Sequence, residues 1–346
     1  MSHQVESMFS VKEVPWHGLG VVLDAAPEST AEALRVAGLD WRIGLEQLQL
    51  PDGLKVDRNA VVRLSDHAVL GIVGVDWIPI QNEQAFRPFD PFLQTGNATI
   101  ESAGSLKGGR RVWMLAKLNR PDSIIVPQAD DRVAKYLLVA VGHDGTLSFS
   151  IGYSPIRVVC KNTLSVALND KISSFVKIRH SSGAKGAIEA LTAKVQEIDA
   201  RFEDTANVFR ALAEIPIRTA KQLRAYVDAV FPPAKKAPES GAELLGDLLT
   251  RPHVSALPSP FSPEGGDMTA ETKSRVFEEI ARLFEFGRGN REPGVAGTAW
   301  AAYNAVTEYN TWERGRSVDN RMDNVWLSQS GPVARALPAA VSQFLS

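Results

Sequence analysis

Residues 133–153 read VAKYLLVAVGHDGTLSFSIGY, and this stretch decides the fold class. Val133–Val141 is an almost unbroken apolar run of strand length, which predicts a strand buried on both faces. Thr146–Tyr153 alternates instead. Leu147, Phe149, Ile151 and Tyr153 share one face, and Ser148, Ser150 and Gly152 share the other, so this strand should offer one core face and one small, polar, accessible face. His143-Asp144-Gly145 lies between the two runs and carries the Asp-Gly turn signal, so the strands should be antiparallel.

Working outward, Arg111–Leu118 (RVWMLAKL) is a further apolar strand, entered through the turn Lys107-Gly108-Gly109-Arg110. Ala60–Leu64 and Val69–Val75 flank Ser65-Asp66-His67 as a hairpin, and Trp41–Leu50 reads as another strand. Ser29 and Glu32 have the spacing of a capping box for a short helix that Gly38 can stop. Asn82–Thr95 reads as a helix that Pro88 and Pro91 must bend or end. From Ala184 the apolar period changes from two to 3.6. Ile188, Leu191, Val195, Ile198, Phe202, Phe209, Leu212 and Ile215 predict one amphipathic helix of roughly thirty residues, about 45 Å long. Thr219–Val230 is a further helix ended by Pro232-Pro233, residues 234–240 read as a linker, residues 251–268 as a Pro-rich loop, and Thr269–Phe286 as a helix. The fold class is therefore α+β, an antiparallel sheet backed by a long helix with a helical C-terminal part. The expected divisions are an α+β core over 1–230, a linker and loop over 231–268, and a helical segment over 269–346.

The 346 residues, 44% apolar and 23% charged, belong to a globular chain and exclude disordered and collagen-like classes. No apolar run reaches membrane-spanning length, and the first twenty residues lack a basic start and apolar stretch, so a cytoplasmic protein is expected. A single cysteine, Cys160, excludes a disulfide framework or a Cys-rich zinc site. The net charge of −2 is unevenly spread: residues 1–100 carry 7 Lys+Arg against 13 Asp+Glu, and residues 101–200 carry 14 against 9. Such an asymmetry fits either a polyanionic partner or pairing of the two segments inside one fold.

Walker, dinucleotide, His-Glu-x-x-His and Gly-x-Ser-x-Gly motifs are lacking, which weakens the common enzyme classes, and no cofactor is expected. Three readings stay open between chemistry and structure. His143-Asp144 fits a metal or acid/base pair, or simply a turn. Cys160 fits a nucleophile, or a small buried hydrophobe. Trp300, Tyr303, Val306, Tyr309 and Trp312, at steps of three, wrap around a helix and suit burial against several neighbours better than base stacking. Lys107, Arg110 and Arg111 combine backbone freedom with cationic side chains, as a phosphate site does and as any solvated turn can. Lys117, Arg157, Lys161, Lys177 and Arg179, with Lys185, lie on neighbouring strands and turns and extend this into a basic track. Asn162 or Thr163 should cap a short helix between two of these cations.

Trp16-His17-Gly18-Leu19-Gly20, Gly38-Leu39-Asp40-Trp41, Leu70-Gly71-Ile72-Val73, Pro79-Ile80-Gln81-Asn82, Gly108-Gly109-Arg110-Arg111-Val112-Trp113, His143-Asp144-Gly145, residues 155–163 and Ala305-Val306-Thr307-Glu308-Tyr309 occur in that order. Together they resemble the phage/plasmid-like protein family, also called the domain-of-unknown-function 932 family. The resemblance implies a mobile-element origin and brings no enzymology. The expected function is a single-stranded DNA-binding or strand-annealing protein, non-catalytic, working in recombination as a homo-oligomer, in a ring as the preferred form. The partner would be single-stranded nucleic acid held by its backbone, with no membrane partner. A metal-dependent enzyme acting on nucleic acid, or a structural or host-interaction protein, are the alternatives.

Overall fold

The computed structural model describes residues 5–12, 20–157, 162–163, 175–232, 270–314 and 331–345. Trp16 to Gly18, Cys160, Lys161, the 234–240 and 251–268 segments and residues 315–326 lie outside the described residues.

The strands are β1 (Val5–Val11), β2 (Val21–Leu23), β3 (Ile43–Gln49), β4 (Lys55–Arg63), β5 (Ala68–Val73), β6 (Ala98–Leu106), β7 (Arg111–Leu118), β8 (Ser123–Val126), β9 (Asp131–Gly142), β10 (Phe149–Arg157), β11 (Asn162–Thr163) and β12 (Phe175–Ile178). The helices are α1 (Thr30–Val36), α2 (Asn82–Phe86), α3 (Asp90–Gln94), α4 (Ala184–Glu189), α5 (Leu191–Ala213), α6 (Ala220–Val230), α7 (Ala270–Phe286), α8 (Ala299–Glu308) and α9 (Pro332–Phe344). Nine strands form one sheet in the order β11-β10-β9-β7-β6-β1-β2, with β12 on β10 and β8 on β9, and β3-β4-β5 form a second, three-stranded sheet. All pairings are antiparallel except β1 with β2. The α+β class is thus the observed one.

Local chemistry explains several boundaries. The Ser29 hydroxyl accepts the Glu32 amide at 3.2 Å and caps α1. At the other end Gly38 turns left-handed at φ +65°, so that its amide reaches Arg35 O and the Leu39 amide reaches Leu34 O. Those two bonds satisfy the last carbonyls of the helix. The helix expected over 82–95 is three short pieces, because Pro88 opens a 3₁₀ turn and Pro91 restarts α3. The thirty-residue helix is likewise divided: α4 ends and α5 begins around Ala190, which caps both.

One apolar core runs from Phe9 on β1 through Met114, Val139 and Phe149 on the sheet to Phe209 on α5, Trp300 on α8 and Leu337 on α9. The helices cover this face of the large sheet. The Trp300 indole donates to the buried Asp131 carboxylate at 2.8 Å, fixing α8 to the start of β9. Lys135, buried on β9, donates to Glu203 of α5 at 2.8 Å, and the Ser123 hydroxyl donates to the same carboxylate oxygen at 3.1 Å. The Lys135 ammonium holds the Glu203 carboxyl below the usual carboxylate range.

The other face of the large sheet corrects an expectation. Met8, Leu106, Trp113, Leu115, Leu138, Ala140 and Leu147 form a second buried cluster there, and Ser150 is only 4% exposed. The small polar face of β10 is therefore buried, not accessible. Leu147 does not share a face with Phe149 and Ile151. It precedes β10 and packs over Gly142, where even a Cβ would approach the Leu147 Cβ to 2.6 Å. Asn162 and Thr163 pair with Arg157 and Ile156 as β11, and the short helix expected to follow them falls outside the described residues. Trp300 and Tyr303 are fully buried, so wrapping burial holds for them and base stacking does not.

Candidate nucleic-acid interface

The cations expected to form one track are distributed by strand register. Arg111 pairs with Gly142 at one end of β9, whereas Arg157 pairs with Val133 near the other. Nine residues of strand separate those levels, roughly 30 Å. Lys117 lies between them, opposite Tyr136. Lys177 pairs with Ser150, which pairs with Ala140, which pairs with Trp113, so β12 brings Lys177 and the following Arg179 to the Arg111 end. Lys107, Arg110, Arg111, Lys177 and Arg179 therefore gather at one end of the large sheet. Arg157 does not join them, Lys117 joins only at mid-strand, and Lys161 lies outside the described residues. Lys177 and Arg179 are exposed, while Lys107, Arg110 and Arg111 are half-buried and make polar interactions.

The turn that presents the first three is built by backbone conformation. Lys107, Gly108 and Gly109 are all left-handed, at φ +56°, +66° and +86°, which two glycines make affordable. Around Gly108 a Cβ would meet nothing within 4 Å. Amides near such a turn can be approached closely by an anion.

Arg111 is not the solvent-facing cation expected from the sequence. Its side chain is 15% exposed, donates from Nη2 to Thr146 Oγ1 at 3.2 Å, and lies 3.8 Å through Nε from the Asp144 carboxylate. Asp144 in turn accepts the Thr146 amide at 2.9 Å and hydroxyl at 2.6 Å. The loop between β9 and β10 is thus a six-residue structure knotted by Arg111, Asp144 and Thr146, not a two-residue hairpin.

His143 faces inward. It is fully buried, its backbone amide donates to Arg110 O at 2.7 Å, and its ring packs edge-on against Trp41 at 5.4 Å. Asn82 Nδ2 donates to Leu39 O at 2.8 Å, which leaves Asn82 Oδ1 as the acceptor 2.8 Å from His143 Nε2. His143 is therefore the Nε2–H tautomer. Burial, reinforced by His180, depresses its pKa to about 3, so it stays neutral. His180 donates from Nδ1 to Ile78 O at 3.1 Å, stacks on Trp77 at 4.3 Å, and is held below the usual imidazole range by burial. Asp144 and His143 point to different partners, and no group of three metal-ligating side chains occurs among the described residues.

These residues form a joint between the sheets. A Cβ on Gly71 of β5 would stand 2.5 Å from Asp144 Cα, and one on Gly145 would stand 3.0 Å from Val73 Cγ1. The small sheet is pressed on the 144–145 backbone at a spacing only glycine permits. Asn82, His180, Trp41 and Trp77 were not singled out from the sequence as members of this joint. Their partners are 61 residues away in the case of Asn82 and His143 and 102 in the case of His180 and Ile78. No local spacing carries such pairs.

A cleft of about 610 Å³ opens between α1, the α2–α3 region and α4. Arg42, Arg87 and Lys185 line it together with Asp40, Glu83, Asp90 and Glu189, a balance of charge that does not suit a polyanion. Arg87 is already paired with Glu83, and Asp90 accepts both the amide and hydroxyl of Thr30. Among the described residues no helix is long and apolar enough to cross a membrane.

No curated protein and no solved structure matches the chain. A family model described as a domain of unknown function (DUF932) matches residues 69–326. The matched span includes Val69–Val73 of β5, the 107–111 turn, His143 and α8, and it covers well over half of the sequence, so the chain belongs to the DUF932 family.

Proposed function

We propose that this protein binds single-stranded nucleic acid through the strand's backbone, as a DNA-binding or strand-annealing protein of a mobile element. The observation that carries the reading is the convergence of Lys107, Arg110, Lys177 and Arg179 on one end of the large sheet, although they are separated in sequence by up to 72 positions. Exposed Lys177 and Arg179 provide charge for phosphates, and the left-handed turn at 107–109 provides close backbone approach. The aromatic rings of α8 are inside, so affinity rests on charge and not on base stacking. Sequence preference is then small and salt dependence steep.

The test is a fluorescence anisotropy titration of a labelled single strand of mixed sequence, repeated over a series of salt concentrations and with a chelator. Binding that falls log-linearly with salt, by about 0.7 per phosphate neutralised, supports the reading. Unchanged annealing in chelator separates it from a metal-dependent enzyme acting on nucleic acid. Failure to bind at low salt overturns it.

A further inference from the structure

We infer that the cleft between α1, the α2–α3 region and α4 binds a short apolar peptide and holds it by its two free ends. The inference is independent of the nucleic-acid reading. Among the residues that line the cleft, Leu34, Leu39, Pro88 and Ile188 are buried and supply an apolar floor, and half-buried Trp41 adds an aromatic side. The volume of about 610 Å³ falls within the roughly 300–1,000 Å³ of ligand-binding clefts.

The walls are fixed before any ligand arrives. Gln81, which caps α2, accepts the Ile43 amide at 3.0 Å through Oε1 and donates from Nε2 to Ile43 O at 3.0 Å, tying α2 to the start of β3. Asn82 holds Leu39 O at 2.8 Å, so the floor is tied to the same helix. Asp90 of α3 accepts the Thr30 amide at 3.1 Å and the Thr30 hydroxyl at 2.8 Å, which joins α3 to α1. A preformed cleft loses little affinity to the ordering of its own parts.

The charges select the ligand. Glu83 and Arg87 pair with each other, and Asp90 is held by Thr30. Asp40, Arg42, Lys185 and Glu189 also line the cleft, are exposed, and make no ion pair or side-chain hydrogen bond among the described residues. The segment entering β3 thus brings one charge of each sign and α4 brings another of each, and the four sum to zero. A polyanion meets Asp40 and Glu189, a polycation meets Arg42 and Lys185, and an uncharged molecule uses none of them. A molecule with one carboxylate, one ammonium and an apolar body is complemented throughout, its carboxylate on a cation of one element and its ammonium on a carboxylate of the other. A single amino acid carries both charges on one carbon and cannot divide them between two elements. Three extended residues separate them by roughly 10 Å, comparable with the width of a cleft of this volume.

The experiment is isothermal titration calorimetry of the full chain with trileucine whose termini are free. Saturable binding of one peptide per chain is expected. Trileucine acetylated at its amine and amidated at its carboxyl should bind about tenfold more weakly or worse, and so should free leucine. Arg42→Ala combined with Lys185→Ala should weaken binding of free trileucine by a similar factor, and Arg58→Ala, an exposed cation of the small sheet, should leave it unchanged. Ala31→Trp fills the cleft from an exposed position on α1 and should abolish binding. Each variant is checked for native circular dichroism, and the two kinds of change guard against one of them failing to fold. No saturable binding of trileucine at millimolar concentration, equal binding of the capped peptide or of free leucine, or a folded Ala31→Trp or Arg42→Ala, Lys185→Ala chain that binds like the parent overturns the inference.

Discussion

The two sheets of this protein are treated oppositely by the rest of the chain. The nine-stranded sheet is sealed on both faces, with Val139 and Phe149 in the main core and Leu138 and Trp113 in a second cluster behind. The three-stranded sheet has a small core of Ile43, Val61, Leu70 and Val73, and leaves Val69 and Ile72 more than half exposed. A sheet closed on both faces can meet a partner only at its ends and edges, and the cations Lys177 and Arg179 are found at such a place. The small sheet meets the rest of the molecule at Gly71 and keeps Val69 and Ile72 exposed. The exposed cations Lys177 and Arg179 and the exposed aliphatics Val69 and Ile72 thus lie on different sheets, joined by the residues around His143.

The largest test of this contrast is truncation inside each sheet. Leu138→Ala, at 2% exposure, should cost about 3 kcal/mol in urea unfolding, while Ile72→Ala should stay within about 0.5 kcal/mol. Equal losses would mean that the small sheet is packed as tightly as the large one.

The joint comes next. Gly71→Val places a Cβ against the Asp144 backbone, where no flexible side chain can give way, and should cost about 2 kcal/mol or more. Gly108→Ala meets no atom and pays only for its left-handed φ, about 1 kcal/mol.

Acid should loosen the same joint. His143 titrates at about 3 in the folded chain against 6.5 for the ordinary group. Above 6.5 neither state binds the proton and nothing is lost. Between the two values the unfolded chain is protonated and the folded chain is not, so stability falls as pH falls, by at most about 1.4 kcal/mol per pH unit from this group. Urea midpoints between pH 7 and pH 4 should therefore decline, and His143→Gln should flatten the part of that decline above the carboxylate range. The depressed Glu203 carboxyl acts in the same direction lower down, its contribution being lost as pH falls below the ordinary carboxylate value.

How much of this was legible in the sequence depended on the range of the signal. β7 was bounded as Arg111–Leu118 in advance, and β9 differs by two residues at its start and one at its end, because a long apolar run is specified locally. The helix cap at Ser29 and the stop at Gly38 were legible for the same reason. The facing of β10 was not: alternation gives two faces but does not say that a second cluster covers the polar one. Nor was the role of Arg111, whose neighbours Asp144 and Thr146 are set by the register of β7 on β9. The basic residues were identified from composition, yet only register sorts those at one end of the large sheet, Lys107, Arg110, Arg111, Lys177 and Arg179, from Arg157, which lies roughly 30 Å along the strand.

The smallest expected effect on stability accompanies the most direct test of the central claim, that the strand lies on the Lys177 end of the large sheet. Lys177→Ala with Arg179→Ala changes only exposed side chains and should leave the thermal midpoint within the scatter of surface substitutions. The measurement is the slope of log affinity against log salt for a single-stranded oligonucleotide, compared between the parent, this double variant and Arg58→Ala, an exposed cation of the small sheet. The account predicts that the double variant loses up to about 1.4 of the slope and that Arg58→Ala loses none. An unchanged slope in the double variant, or an equal loss at Arg58, would contradict it.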